Sequence, residues 1–126
     1  MLIIEQVMKR YAANLLYCAP GNLLRNGVVE INEQIGTITD VFSLDDKGDE
    51  IHSTIFLNGI LLPFKPFFAF DDQDTDLFLL LKDQFLRNNP CEIACHKKIN
   101  LWLLQGDDLL TKQIPGKNWK ITPIEI

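Results

Sequence analysis

The feature that most constrains this chain is the regular alternation of short apolar segments with turn dipeptides. The apolar segment 11–17 is followed by Pro20-Gly21, and segment 53–57 is followed by Asn58-Gly59. Proline before glycine favours a tight turn, and Asn-Gly suits the positive φ angles of a two-residue hairpin. Segments of this length bounded by turn residues are typical of strands, so the sequence predicts a mainly β protein.

The predicted strands number about seven and occur on both sides of one helical segment. Two hairpins are expected among them, one with its turn at 32–34 and one with its turn at Asn58-Gly59. The eight segments with a strand pattern, from which about seven strands are expected, are in chain order 11–17, 27–31, 35–42, 53–57, 60–62, 99–104, 109–114 and 119–124.

One segment, 74–88, has the apolar spacing of a helix. Leu77, Leu80, Leu81 and Phe85 recur at that spacing, and acidic residues precede them where a helix N-terminus favours negative charge. We expect the helix to lie across the sheet with these four side chains against it. The acidic stretch 45–50 has no apolar side chain to bury and is expected to be an exposed loop.

Composition favours one soluble domain spanning residues 1–126. The chain is 47% hydrophobic and shows no shift in composition that would mark a second domain. A net charge of −5 argues against nucleic acid and anionic membrane partners, which recruit clustered Lys and Arg. No apolar stretch reaches the ~20 residues of a membrane-spanning helix. Three cysteines and the absence of a signal-like start favour a cytoplasmic protein.

Ordered motifs in both halves of the chain resemble one enzyme family. Pro-Gly-Asn-Leu-Leu-Arg-Asn-Gly-Val-Val-Glu-Ile at 20–31, Gly-Thr-Ile-Thr-Asp-Val at 36–41 and Phe-Leu-Asn-Gly-Ile-Leu-Leu-Pro at 56–63 follow in that order. This order is similar to the opening of the metal-dependent amidohydrolase superfamily, of the chlorohydrolase and cytosine-deaminase kind. The final strands resemble those that return to the small β domain of that family, and the resemblance covers roughly 9–64 and 98–126.

The resemblance implies a composite β domain, a sandwich or half-open barrel in which strands from both ends of the chain share a sheet. In the family, a strand ending in Leu-Leu-Pro leads to a metal-binding His-x-His and a (β/α)8 barrel of roughly 250 residues. Here Leu62-Pro63 is followed by Phe64-Lys65-Pro66, and a segment of roughly 30 residues with one helix stands in place of the barrel. We therefore expect no catalytic activity of the family's kind, and no catalytic, cofactor-binding or metal-binding residues.

The sequence offers one cluster of metal-ligating residue types, Cys91-x3-Cys95-His96. Sulfur and imidazole suit zinc, but this spacing supplies at most three ligands and a closed site needs four. Cys18 would have to come from a distant strand. The simpler interpretation is two small core residues, Cys91 and Cys95, beside an exposed His96; the other histidine, His52, is expected at a solvated strand edge.

Two other features have a structural and a functional interpretation. Asp72, Asp74 and Asp76 have calcium-loop spacing, but Leu77 takes the place of the usual glycine, so helix-start carboxylates are the better explanation. Four phenylalanines at 64, 67, 68 and 70 favour core packing, with an apolar face open to a partner as the alternative.

Two functions remain open at this point. The first is a catalytically silent binding or protein-interaction module, as a homodimer or with another protein through an apolar face. The second is a hydrolase-related protein that acts on carbon–nitrogen or carbon–halogen bonds only together with another chain. Stoichiometric zinc or iron with amidase turnover would distinguish the second from the first.

Overall fold

The computed structural model describes residues 8–47, 54–68, 76–106 and 119–124, and within these ranges the chain is mainly β. The strands are β1 (Met8–Ala19), β2 (Asn22–Asn32), β3 (Thr37–Ser43), β4 (Thr54–Leu62), β5 (Leu101–Gly106) and β6 (Trp119–Ile124). The helices are the single turn α1 (Leu44–Lys47) and the three-turn α2 (Leu77–Asn88). The expected fold class, mainly β with one substantial helix, is confirmed.

The described strands form one open six-stranded sheet in the order β3-β2-β1-β4-β5-β6. All neighbouring strands are antiparallel except β1 and β4, which are parallel. Strands from both ends of the chain therefore share one sheet, as expected. The edge strand β6 carries Pro123, which has no N–H with which to extend the ladder.

The central part of the sheet is buried on both faces. On one face, α2 covers an apolar cluster that contains Leu15, Tyr17, Ala19, Ile60, Leu62, Phe64 and Leu104. On the other face, Ile93 and Ile99 from the segment after α2 pack on a second cluster with Tyr11, Leu16, Val29, Ile31 and Leu61. The segment 89–100 therefore carries the chain from one side of the sheet to the other, and the Ile93 N–H donates to the Cys18 carbonyl at 3.1 Å on the way.

The side-chain alternation of β1 changes phase at Asn14. Tyr11 and Ala13 share a cluster with Leu16 and Cys18, although regular alternation would place the two pairs on opposite faces. The residue of β2 that lies opposite Asn14 is also irregular, because Asn26 adopts a positive φ of 48°. One central strand thus supplies side chains to both clusters along a continuous apolar run.

The expected hairpin at Asn58-Gly59 is wrong. Residues 54–62 form the single strand β4, and Asn58-Gly59 is a bulge within it, because the partner steps from Ala13 to Leu15 while β4 steps from Leu57 to Ile60. The Gly59 N–H donates to Asn14 Oδ1 at 2.7 Å. Gly59 has a φ of 147°, so the positive φ that Asn-Gly indicated is present, but it serves a bulge rather than a turn.

Helix α2 begins at Leu77, and Asp76 caps its N-terminus by accepting from the N–H groups of Phe78 at 2.8 Å and Leu79 at 3.3 Å. Residues 74 and 75 of the predicted helix lie outside the described ranges. Leu77, Leu81 and Phe85 are buried against the sheet as expected. Leu80 is only half-buried, because the buried stripe follows the spacing of four residues and leaves position 80 at its side.

Other expected elements differ locally. The beginning of the acidic stretch is the helical turn α1 and not a loop, and the Asp45 N–H donates to Ser43 Oγ at 3.1 Å. Residues 48–50 and the predicted strand 109–114 lie outside the described ranges. Neither helix in the described part of the chain has the length and apolar character needed to cross a lipid bilayer.

Candidate binding groove

A groove of about 1020 Å³ lies between α2 and the hairpin formed by β1 and β2. Its position follows from the packing of α2 on β1 and β4, which leaves the turn end of the hairpin extending beside the first half of the helix. The apolar residues that line the groove are Leu15, Tyr17, Pro20, Leu23, Phe78 and Leu79. Leu23 is 39% exposed and Leu79 is 64% exposed, so the groove keeps apolar surface in contact with solvent.

Tyr17 is a nearly buried residue of the groove lining. Its side chain is 2% exposed, and its ring packs on Phe85 with centroids 6.3 Å apart. Burial raises the pKa of Tyr17, so the phenol stays neutral at physiological pH. In the described part of the chain the hydroxyl has no hydrogen-bond partner, and it is not sealed from solvent. The hydroxyl therefore remains able to donate to another molecule.

Asn14 supplies a second polar group at the same place. Asn14 lines the groove, and its Oδ1 accepts from the Gly59 N–H, so the amide nitrogen is the group left to donate to another molecule. The opposite residue, Asn26, also lines the groove, but its amide donates to Asp45 Oδ1 at 3.0 Å. Asn14 and Tyr17 together present two fixed polar groups among apolar walls, which is the usual composition of a ligand-binding site.

The rim of the groove carries Arg25 on β2 and Lys82 on α2. Both side chains are exposed, and neither forms an ion pair within the described ranges. The lining also includes the carboxylate of Asp76, which accepts from the first N–H groups of α2. Among the described residues of the lining, two cations and one capped carboxylate give a charge opposite in sign to the net −5 of the chain.

The cysteine and histidine cluster differs from its prediction. Cys91 and Cys95 are exposed rather than core residues, because the segment that contains them buries Ile93 instead. His96 is exposed as expected. Cys18 is buried on β1, and burial together with the nearby Glu92 carboxylate raises its pKa to about 11. Among the described residues no group of three or more His, Cys, Asp or Glu side chains could hold a metal ion.

The acidic residues near α2 have structural roles where they are described. Asp76 is the N-cap, as the helix-start interpretation predicts, and Asp83 pairs with Arg87 at 3.1 Å on the exposed side of the helix. His52, Asp72 and Asp74 lie outside the described ranges.

The phenylalanine segment is divided between core and surface. Phe64 is buried and packs edge-on against Phe85, with centroids 6.1 Å apart. Phe68 is half-buried against Trp119 at 5.3 Å. Phe67 is 70% exposed, and its backbone is fixed to α2 by both atoms of the Gln84 amide. Core packing therefore accounts for Phe64 and Phe68 but not for Phe67, and Phe70 lies outside the described ranges.

Comparisons with known protein families, curated proteins and solved structures find no match for this chain. The groove itself was not predicted from the sequence. Its residues come from β1, β2 and α2, which the turn signals do not bring together. One signal in the sequence was Leu79, an apolar helix residue that falls outside the buried stripe of Leu77, Leu81 and Phe85.

Proposed function

We propose that this chain is a catalytically silent protein-interaction module that binds a partner polypeptide in the groove between α2 and the β1–β2 hairpin. The observation that carries the proposal is the concave apolar lining of this groove, in which Leu23 and Leu79 remain open to solvent beside fixed polar groups. Contiguous exposed apolar surface bordered by polar residues is characteristic of interaction sites.

The proposal includes an amidohydrolase-like origin for the β domain. The motifs at 20–31, 36–41 and 56–63 support it, and so does a sheet that joins strands from before and after the helical insertion. In this proposal α2 covers the sheet where the family has its barrel. The apolar residues of α2 that the sheet does not bury are then free to contact a partner.

Paired substitutions on α2 test the binding role. Leu79 and Leu86 are both 64% exposed, but only Leu79 lines the groove, so Leu86→Asp is a matched control for Leu79→Asp. The measurement is the apparent affinity for peptides selected from a displayed library on the wild-type protein. Leu79→Asp should weaken binding by at least about tenfold, because it removes apolar contact and adds a charge, while Leu86→Asp should bind as the wild type does.

Equal binding by the two variants would contradict the groove as the interaction site. Both substitutions lie on the exposed side of the same helix, so a general loss of folding would affect the two proteins alike. Circular dichroism of both variants identifies that case.

A further inference from the structure

The polar groups of the groove are suited to an extended peptide. Tyr17 lines the groove and is 2% exposed as a residue, and its hydroxyl, which is not sealed from solvent, has no hydrogen-bond partner in the described part of the chain. Asn14 lines the same groove, and because its oxygen is already engaged by Gly59, its amide nitrogen is the group left to donate. An extended peptide presents backbone carbonyl groups that can accept from both donors while its side chains enter the apolar walls.

The charged groups of the groove select among peptides. Arg25 and Lys82 lie on opposite walls, one on β2 and one on α2, and are exposed without an ion pair in the described ranges. The Asp76 carboxylate also lines the groove, but it is engaged by the N–H groups of Phe78 and Leu79. Charges on the ligand that complement the two free cations are therefore favoured.

We infer that the partner segment is an extended apolar peptide with Asp or Glu beside its apolar residues, an inference that rests on the binding role proposed above. The apolar residues contact Leu23, Phe78 and Leu79, and the carboxylates contact Arg25 and Lys82. The net charge of −5 does not oppose this binding strongly. At physiological ionic strength charges farther away than about 8 Å are largely screened, so the cations at the rim dominate.

Three synthetic peptides with one shared Leu and Phe core test the inference by fluorescence anisotropy. The core is flanked by Asp in the first, by Asn in the second and by Lys in the third. We expect the Asp-flanked peptide to bind most tightly and the Lys-flanked peptide most weakly. The affinity of the Asp-flanked peptide should decrease as salt is raised, because the charge pairs are exposed.

Substitutions in the protein assign the contacts. Arg25→Gln and Lys82→Gln should each lower the affinity for the Asp-flanked peptide by about threefold and leave the affinity for the Asn-flanked peptide unchanged. Lys97→Gln removes an exposed cation outside the groove and should change neither affinity. Tyr17→Phe should weaken the binding of all three peptides by about fivefold without lowering the urea midpoint, since the hydroxyl has no partner among the described residues.

Three results would overturn the inference. The first is binding of the Lys-flanked peptide as tight as that of the Asp-flanked one. The second is that decanoate displaces the Asp-flanked peptide completely and binds the protein more tightly than that peptide does. This result would assign the groove to small amphiphilic acids. The third is a wild-type dimer that Leu79→Asp converts to a monomer in sedimentation, which would assign it to a second copy of this chain. Each result leaves the proposed interaction role to be decided separately by the comparison of Leu79→Asp with Leu86→Asp.

Discussion

At the scale of single residues, three asparagines in apolar strands determine the local geometry. Asn14 and Asn26 lie opposite each other where β1 and β2 change phase, and Asn58 precedes the bulge of β4. Asn14 connects two of these irregularities through its bond to the Gly59 N–H. A polar residue in an apolar run is thus the sequence signal of an irregular strand here, and not of a strand end.

Gly59 is the residue at which this geometry is least tolerant of a side chain. A Cβ there would overlap the Leu104 carbonyl oxygen, and the φ of 147° is rarely adopted by other residues. Gly59→Ala should therefore lower the free energy of unfolding by about 3 kcal/mol. Urea unfolding followed by circular dichroism measures the change.

Gly36→Ala is the matched control for that substitution. Gly36 also has a positive φ, of 70°, but a Cβ on this residue would meet no atom within 4 Å. Only the backbone strain remains, so the expected cost is about 1 kcal/mol. A Gly59 variant no less stable than the Gly36 variant would show that β5 does not approach β4 as described.

At the scale of elements, α2 has two sides with different uses. Its buried stripe of Leu77, Leu81 and Phe85 was predicted from spacing alone, because an amphipathic helix on a sheet leaves a simple periodic signal. The residue at which the helix begins was not predicted, since acidic residues before Leu77 are equally compatible with a longer helix. The N-cap bonds of Asp76 place that boundary.

Replacing the buried stripe should have a large effect on stability. Leu81 is fully buried, so Leu81→Ala should lower the free energy of unfolding by about 3 kcal/mol through lost apolar contact and a cavity. Leu86→Ala, on the exposed side of the same helix, should change it by less than about 0.5 kcal/mol. Thermal or urea unfolding measures both, and similar values for the two would contradict the packing of α2.

At the scale of the whole molecule, the sequence was sufficient for the fold class but not for the sheet order. Apolar segments and turns predicted most strands, and the structure confirms a mainly β fold with strands from both chain ends in one sheet. The parallel pair β1 and β4 was not predicted, because Asn58-Gly59 is a strong local hairpin signal that the long-range pairing overrides. The groove depends on that pairing, and so it could not be derived from local patterns.

The stability of the whole molecule should fall in alkaline solution. The pKa of Cys18 is raised from 9.0 to about 11 by burial and by Glu92, so the native state retains a proton that the unfolded chain releases. The contribution of Cys18 to the free energy of unfolding is fully present below pH 9. About 2 kcal/mol of it is lost as the pH rises towards 11. Burial also raises the pKa of Tyr17, which adds a loss above pH 10.

Urea unfolding between about pH 8 and pH 11 measures this dependence. Cys18→Ala lowers stability at neutral pH by leaving a cavity, but its loss of stability in alkali should begin about one pH unit higher than that of the wild type, where Tyr17 of the unfolded chain ionises. An unchanged onset in that variant would contradict the assignment to Cys18.

The change of phase in β1 also constrains how the length of this chain can vary. Because alternation is already broken at Asn14, loss of that residue would join Ala13 to Leu15 in regular alternation and keep Leu16 and Cys18 on their present side, but it would leave Asn26 of β2 without a residue opposite. A simultaneous loss at Asn26 would restore the match between β1 and β2. Homologues that are shorter at one of these positions should therefore be shorter at both.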